Sequence, residues 1–425
     1  MRSTRIALLL RIGGIGLSVV LLWMAACRDG RQAVRLLPPT PREGDGFGNA
    51  VVLGPDELFV GAWTRAANAS TAKAGMVQVF EQRSHGWSAT QELTAPVRVA
   101  NQCFGASLAL HGASLLVGAP GWFGAPTHED GGASRAGVVY LFERVGGRWE
   151  PRAVLRAQDG SGGDCFGYSL AFDGQRALIG AISRDHPAPD AGAVYVFERT
   201  DGVWAQVDRW VASDACAGAL FGHAVALSGD TALVGAHRDG AATGMRRGAA
   251  YLFERVETES AASAWRETAK FVAPGAAEPG RTGHALAIED GLAVVAERLR
   301  PPSGAVHVYV REAGAWRSSA TLRSPSPAAR EFGWSVDLDG GEILIGDHRD
   351  GGDSLGAGAA FRFVPDELGG WKLCETYRSI RPRADGGFGA SVALDGGRVL
   401  VGAWNEDAAA PRSGAAYLLG APADR

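Results

Sequence analysis

Residues 166–210 read FGYSLAFDGQRALIGAISRDHPAPDAGAVYVFERTDGVWAQVDRW. Four short apolar stretches lie in this segment. One opens on Phe166-Gly167, and one ends in Ile179-Gly180-Ala181. A third runs Gly192-Ala193-Val194-Tyr195-Val196-Phe197, and the last arrives with Trp204. Short, often alternating apolar runs bounded by Gly or Asp predict strands. Asp173-Gly174 between the first two suits a tight hairpin. The unit repeats. Phe-Gly recurs at Phe47, Phe104, Phe166, Phe221, Phe332 and Phe388, and a seventh copy, Thr282-Gly283, has lost the Phe. The intervals are 57, 62, 55, 61, 50 and 56 residues.

Each later signature recurs with the first. The second is Val60-Gly61-Ala62, Val117-Gly118-Ala119, Ile179-Gly180-Ala181, Val234-Gly235-Ala236, Val295-Ala296, Ile345-Gly346-Asp347 and Val401-Gly402-Ala403. The third, Gly followed three residues on by an aromatic, includes Gly137 to Tyr140 and Gly248 to Tyr251. A Trp then follows at 87, 149, 204, 265, 316 and 371. Seven copies of a four-stranded unit predict an all-β, seven-bladed β-propeller with four antiparallel strands per blade, because radial repetition leaves only short edges exposed. A parallel solenoid is the alternative, but its repeats are usually shorter. The last copy ends on its third strand, Tyr417-Leu418-Leu419. Residues 33–37, Ala33-Val34-Arg35-Leu36-Leu37, resemble the end of a fourth strand. The N-terminal segment is therefore expected to close the ring, leaving no open edge.

Composition agrees with this reading. Gly is 60 of 425 residues, about twice the usual share of roughly 7%. Hydrophobic residues make up 46% and the formal net charge is −4, which excludes intrinsic disorder. No basic block occurs, so nucleic-acid binding has no support. One long apolar run excludes a multi-span membrane protein.

That run is at the N-terminus. Arg2, Arg5 and Arg11 precede the apolar stretch Ile12 to Met24, and Met24-Ala25-Ala26-Cys27 follows. The pattern resembles the bacterial lipoprotein signal, which implies cleavage of residues 1–26 and acylation of Cys27. An ordinary cleaved signal and a retained anchor are the alternatives. The resemblance predicts an exported, membrane-anchored lipoprotein of the cell envelope, with residues 27–46 as a lipidated tether that includes the closing strand. Residues 47–420 are then the propeller.

The seven copies resemble the FG-GAP repeat, the unit of the integrin α-subunit head and of many bacterial surface proteins. In integrins the resemblance implies calcium held in an Asp-rich loop between the first two strands. Here that loop is short, as in His111-Gly112 and Asp173-Gly174-Gln175. A calcium ion takes six to eight oxygens, so no cofactor is expected from these turns.

The long segments, from second to third strand and from blade to blade, fall on one face, and function usually sits on such loops. The residues taken to follow the Gly-Ala signatures are Trp63, Pro120, Ile182, His237, Glu297, His348 and Trp404. Trp63 and Trp404 belong to blades that are neighbours across the closure. Side by side they can stack a sugar or anchor a protein, or pack on their own blades. With His237, His348 and Glu297 they form the candidate ligand-binding set. Asp347, Asp350 and Asp353 are the candidate cation ligands; solvated turn residues explain them equally well. Asp130, Asp185, His186, Asp190, Asp239 and Asp407 gather on the same face. Asn68-Ala69-Ser70 fits a glycosylation sequon. Cys103 and Cys165 precede Phe-Gly in adjacent blades and are a candidate disulfide, with Cys216 and Cys374 elsewhere. No nucleophile elbow, P-loop or zinc spacing appears. The expected protein is a monomeric, non-catalytic module for a protein or glycan. A polysaccharide hydrolase or lyase on the loop face is the alternative.

Overall fold

The computed structural model describes residues 33–67, 71–121, 136–240, 244–257, 263–273 and 280–420. These form seven four-stranded antiparallel sheets, with no helix among the described residues. Blade three is representative: Phe166–Phe172, Arg176–Ala181, Ala193–Thr200 and Val203–Trp210 pair in chain order. The first strands of neighbouring blades pack against each other at all seven seams, so they are the innermost strands of a closed ring.

Closure comes from the N-terminus. Val34–Leu36 pairs antiparallel with Ala415–Leu419, setting Val34 opposite Leu418 and Leu36 opposite Ala416. The chain ends thus share blade seven, and its third strand has no free edge.

The repeated residues have physical roles. Each Phe of the Phe-Gly pairs is fully buried and packs on aromatics of its own blade's third strand: Phe166 lies edge-on to Tyr195 and Phe197, and Phe221 to Tyr251 and Phe253. The Gly that follows has a positive φ in every blade, from +80° at Gly283 to +92° at Gly48, a conformation that side chains with a Cβ rarely adopt. The register slips beside it, as between Phe166 and Leu170. This bulge lets the next residue leave the ladder.

Apolar residues cluster by seam and not by blade. Phe59, Val77 and Val79 of blade one join Phe104, Val117 and Tyr140 of blade two. Trp210 of blade three stacks flat on Phe253 of blade four at 4.4 Å. No blade can cover its own faces, which is why the array must close. Hydrogen bonds between innermost strands reinforce the seams. Ser107, Ser169, Ser335 and Ser391 each donate to the Phe-Gly glycine carbonyl of the next blade, at 2.7, 2.7, 2.9 and 2.8 Å. In blade one Asn49 donates to Gly105 and Ala106 instead.

Candidate functional site

The bulge after each Phe delivers one side chain to the same end of the ring. Those residues are Asn49, Ala106, Tyr168, His223, His284, Trp334 and Ala390. Blades seven, one and two supply only two alanines and an asparagine. Blades three to six supply rings that touch in sequence. Tyr168 and His223 lie 5.1 Å apart between centroids, His223 and His284 4.9 Å, and His284 and Trp334 4.9 Å.

A second row stands beside this arc, made by the residue that follows each second strand. The cross-strand register fixes it. Thr282 lies opposite Glu297 just as Phe221 lies opposite Ala236, so the row is Trp63, Pro120, Ile182, His237, Arg298, His348 and Trp404. His237 sits 3.9 Å from His223 and His348 sits 4.0 Å from Trp334, ring to ring. The guanidinium of Arg298 covers Trp334 at 4.2 Å. Leu220 and Arg281, each just before its blade's first strand and each with a positive φ, and Arg238 complete the lining of a cleft of about 440 Å³.

Among the described residues no carboxylate lines this cleft. Glu331, close by, is engaged by Arg298 through Nε at 3.0 Å and Nη2 at 2.9 Å, and lies 3.5 Å from Arg349. Burial works to raise the Glu331 pKa, but the hydrogen bond and charge of Arg298 outweigh it and hold the group below the usual range. Arg238 and Arg281 have no acidic partner among the described residues. Burial, then the charges of Arg298 and Arg238, press the Arg281 pKa down. Burial is also the main reason why His223 falls to about 4 and His284 well below its ordinary value. His237 is likewise depressed, first by burial and then by His223 and the arginines. The histidines are therefore neutral at pH 7. His223 exchanges hydrogen bonds with the Tyr168 hydroxyl at 3.1 Å and the His284 carbonyl at 3.0 Å. The Nδ1 atoms of His237 and His284, and Nε of Arg238, are buried without a partner.

The sequence-derived candidates fall in several places. His237 lines the cleft, and His348 stands against its Trp334 wall. Trp63 and Trp404 lie on the opposite side of the mouth, half-buried, each indole against the glycine before its own blade's first strand, Gly46 or Gly387. Glu297 is not a member of the second row. It is 1% exposed and accepts from His307 at 3.0 Å and Arg300 at 2.9 Å. Asp347 is fully buried and accepts the backbone N–H groups of Arg330, Glu331 and Arg349; burial raises its pKa to about 6. Asp350 accepts from Arg378 and the Gly352 N–H, and Asp353 lies 3.8 Å from Arg378. These three acids brace loops, and among the described residues no group of His, Cys, Asp and Glu is set to hold a metal.

Three other acids of this face are similarly engaged. Asp185 accepts the Asp190 N–H, Asp239 pairs with Lys270 and Asp407 with Arg383. Cys103 and Cys165 are not bridged to each other, and Cys216 is also a thiol. Cys374 is in the outermost strand of blade six. Cys27, Asp130 and the sequon at Asn68 lie outside the described residues.

Sequence reading missed Tyr168, His223, His284, Trp334, Arg281 and Arg298. The first four occupy one column of the repeat, third from each Phe, and reading that column down the copies would have found them. Arg298 was hidden because blade five has Ala296 in place of Gly, which displaced the count by one residue.

Comparison with protein families finds the FG-GAP repeat at residues 87–142, 149–197, 204–253 and 383–419. The matched segments pass over blades five and six, which supply Arg281, His284, Arg298 and Trp334. Comparison with curated proteins finds no match.

Proposed function

We propose, from the premise that this chain is an FG-GAP repeat propeller, that it is a non-catalytic binding module holding a protein or glycan partner at the mouth of the ring between blades three and six. One observation carries this reading. The cleft there is walled by aromatic, imidazole, aliphatic and guanidinium groups, whereas Asp347, Asp350, Asp239 and Asp407 of the same face are taken up by loop backbone, arginines and Lys270. Glycoside hydrolysis generally needs two carboxylates flanking the scissile bond, and the cleft lining offers neither. A rigid concave site with a few polar groups is what recognition requires. The same proposal takes the N-terminal pattern as an address: acyl chains on Cys27 hold a monomeric propeller at a bacterial envelope membrane.

The test uses the purified protein on a panel of neutral and acidic polysaccharides, following retention and bond cleavage together. Retention without new reducing ends or unsaturated sugars is the expected result. Release of either product overturns the reading. For the address, incorporation of labelled fatty acid should vanish in Cys27→Ser, and persistence of the label would exclude that cysteine as the acylation site.

A further inference from the structure

Resting on the binding reading above, we infer that this cleft takes the oxyanion group of its ligand: a carboxylate, sulfate or phosphate on a small molecule or at a chain end. Arg238, Arg281 and Arg298 all contribute to the lining, and only Arg298 has an acidic partner among the described residues. The mutual repulsion felt by Arg281 means that the three guanidinium groups share one field. In a chain of net charge −4, positive charge concentrated in a concavity is maintained against the overall balance, and such a cleft draws anions.

The second observation is independent of the arginines. His237 and His284 are 4% and 8% exposed, yet each buries an Nδ1 atom that has no partner. A buried polar atom without a hydrogen bond is costly, and both rings belong to the cleft lining. A neutral imidazole can donate one N–H to an oxyanion. Guanidinium groups add the charge-assisted, two-pronged bonds that suit planar carboxylates and tetrahedral oxyanions alike. The volume of about 440 Å³ fits a group of one or two sugar units better than an extended polymer.

Calorimetry at fixed ionic strength with inorganic phosphate, inorganic sulfate, glucuronate and glucose tests the inference and separates its sources. At least one of the three anions should bind and glucose should not. Arg281→Gln and Arg238→Gln should each weaken that binding by about tenfold or more with an unchanged melt, and Arg148→Gln, on an exposed outer strand, should leave it unchanged. Saturation by glucose equal to that by the anions, or anion binding indifferent to both arginine variants, overturns the oxyanion inference while the binding module stands. Binding of none of the four probes also overturns it. Cleavage of a glycan in the preceding test would instead remove the module reading itself.

Discussion

The two halves of the ring mouth share one backbone and differ in what their polar atoms do. On the side of blades seven and one, the buried charges are paired. Asp45 meets Arg65 at 2.5 Å, and Arg65 also donates to the Thr40 carbonyl at 2.6 Å. Glu406 accepts from Arg35 at 2.6 Å, from Ser379 at 3.0 Å and from the Tyr417 hydroxyl at 2.7 Å. The third residues of the Phe-Gly triplets are small there, and Trp63 and Trp404 cover glycines. On the side of blades four to six Arg238 and Arg281 have no acidic partner among the described residues, His237 and His284 keep bare nitrogens, and the serine bond between innermost strands is absent where Ala224 and Ala285 stand. The first half holds the ring shut. The second departs from the repeat's own pattern, and departures from local consistency are where function is expected.

The first half can be broken most severely. Deleting residues 33–37 removes the fourth strand of blade seven and with it Leu36, 3% exposed, and Arg35, the partner of Glu406. A single buried Leu truncated to Ala costs about 2–5 kcal/mol. Loss of a whole strand, with a buried carboxylate left unpaired, should exceed that range. The expected result is aggregation or a collapsed melt, read by scanning calorimetry and size exclusion. A deletion variant that melts with the full chain would show that the ring closes without this strand.

The second half should break with acid. His223 and His348 have pKa values lowered to about 4 by burial, and His237 and His284 are lowered in the same direction. Unfolded histidine titrates near 6.5, so below that pH the unfolded chain takes protons that the folded chain refuses. The stability contributed by neutral histidine is complete above about pH 6.5 and is lost as pH falls toward 4. Each tenfold depression of proton affinity is worth about 1.4 kcal/mol. Asp337 and Asp347, raised by burial to about 7 and about 6, work in the opposite sense, losing stability as pH rises through the same range. The informative quantity is therefore the difference between the protein and His237→Gln. The drop in melting temperature from pH 7 to pH 5 should be smaller in the variant. Equal drops would mean that His237 accepts its proton without strain, and the cleft would not be the acid-sensitive half.

Most of the fold was legible in the sequence because strand pattern, turn chemistry and repetition agree in seven places. Closure was legible too, since a blade lacking its fourth strand and a spare strand upstream imply each other. The cleft was less legible. Its rings come from a column adjacent to the signature, where the seven copies carry five different residue types, and no single copy looks unusual. Trp63 and Trp404 drew notice by size. Arg281 and Arg298 drew none, because exposed arginines are common and only the ring brings these two together across one blade.

The smallest effect tests why the two halves differ. Wherever a serine bonds across a seam, the second strand of its own blade carries a glycine. A Cβ built there would meet the serine oxygen at 2.1 Å over Gly118 and at 2.3 Å over Gly180, Gly346 and Gly402. Blade five has Ala296 at that position and Ala285 in place of serine, so methyl and hydroxyl exclude each other. The seam to blade six is altered as well. The methyl of Ala296 would lie 3.1 Å from a Cβ on Gly333, where over Gly389 of blade seven and Gly283 of blade five the nearest atom is a strand carbonyl at 2.3 and 2.2 Å. Six parallel bridges between the glycine before a third strand and the next blade's Phe-Gly position mark the other seams; among the described residues none joins Gly304 to Phe332, although the Phe332 N–H still donates to the Ser303 carbonyl at 2.7 Å. Blade four keeps Gly235, so Ala224→Ser should form the missing bond to the Gly283 carbonyl and add about 1 kcal/mol. Ala285→Ser alone should be neutral or destabilising. Ala285→Ser with Ala296→Gly should recover the bond, giving a favourable coupling of about 1 kcal/mol in a double-mutant cycle. It should also draw blade six toward blade five and weaken whichever anion the cleft binds. A cycle that closes with no coupling would show that the Ala296 methyl does not exclude the serine. A gain in stability with binding intact would show that the cleft does not depend on the altered seam.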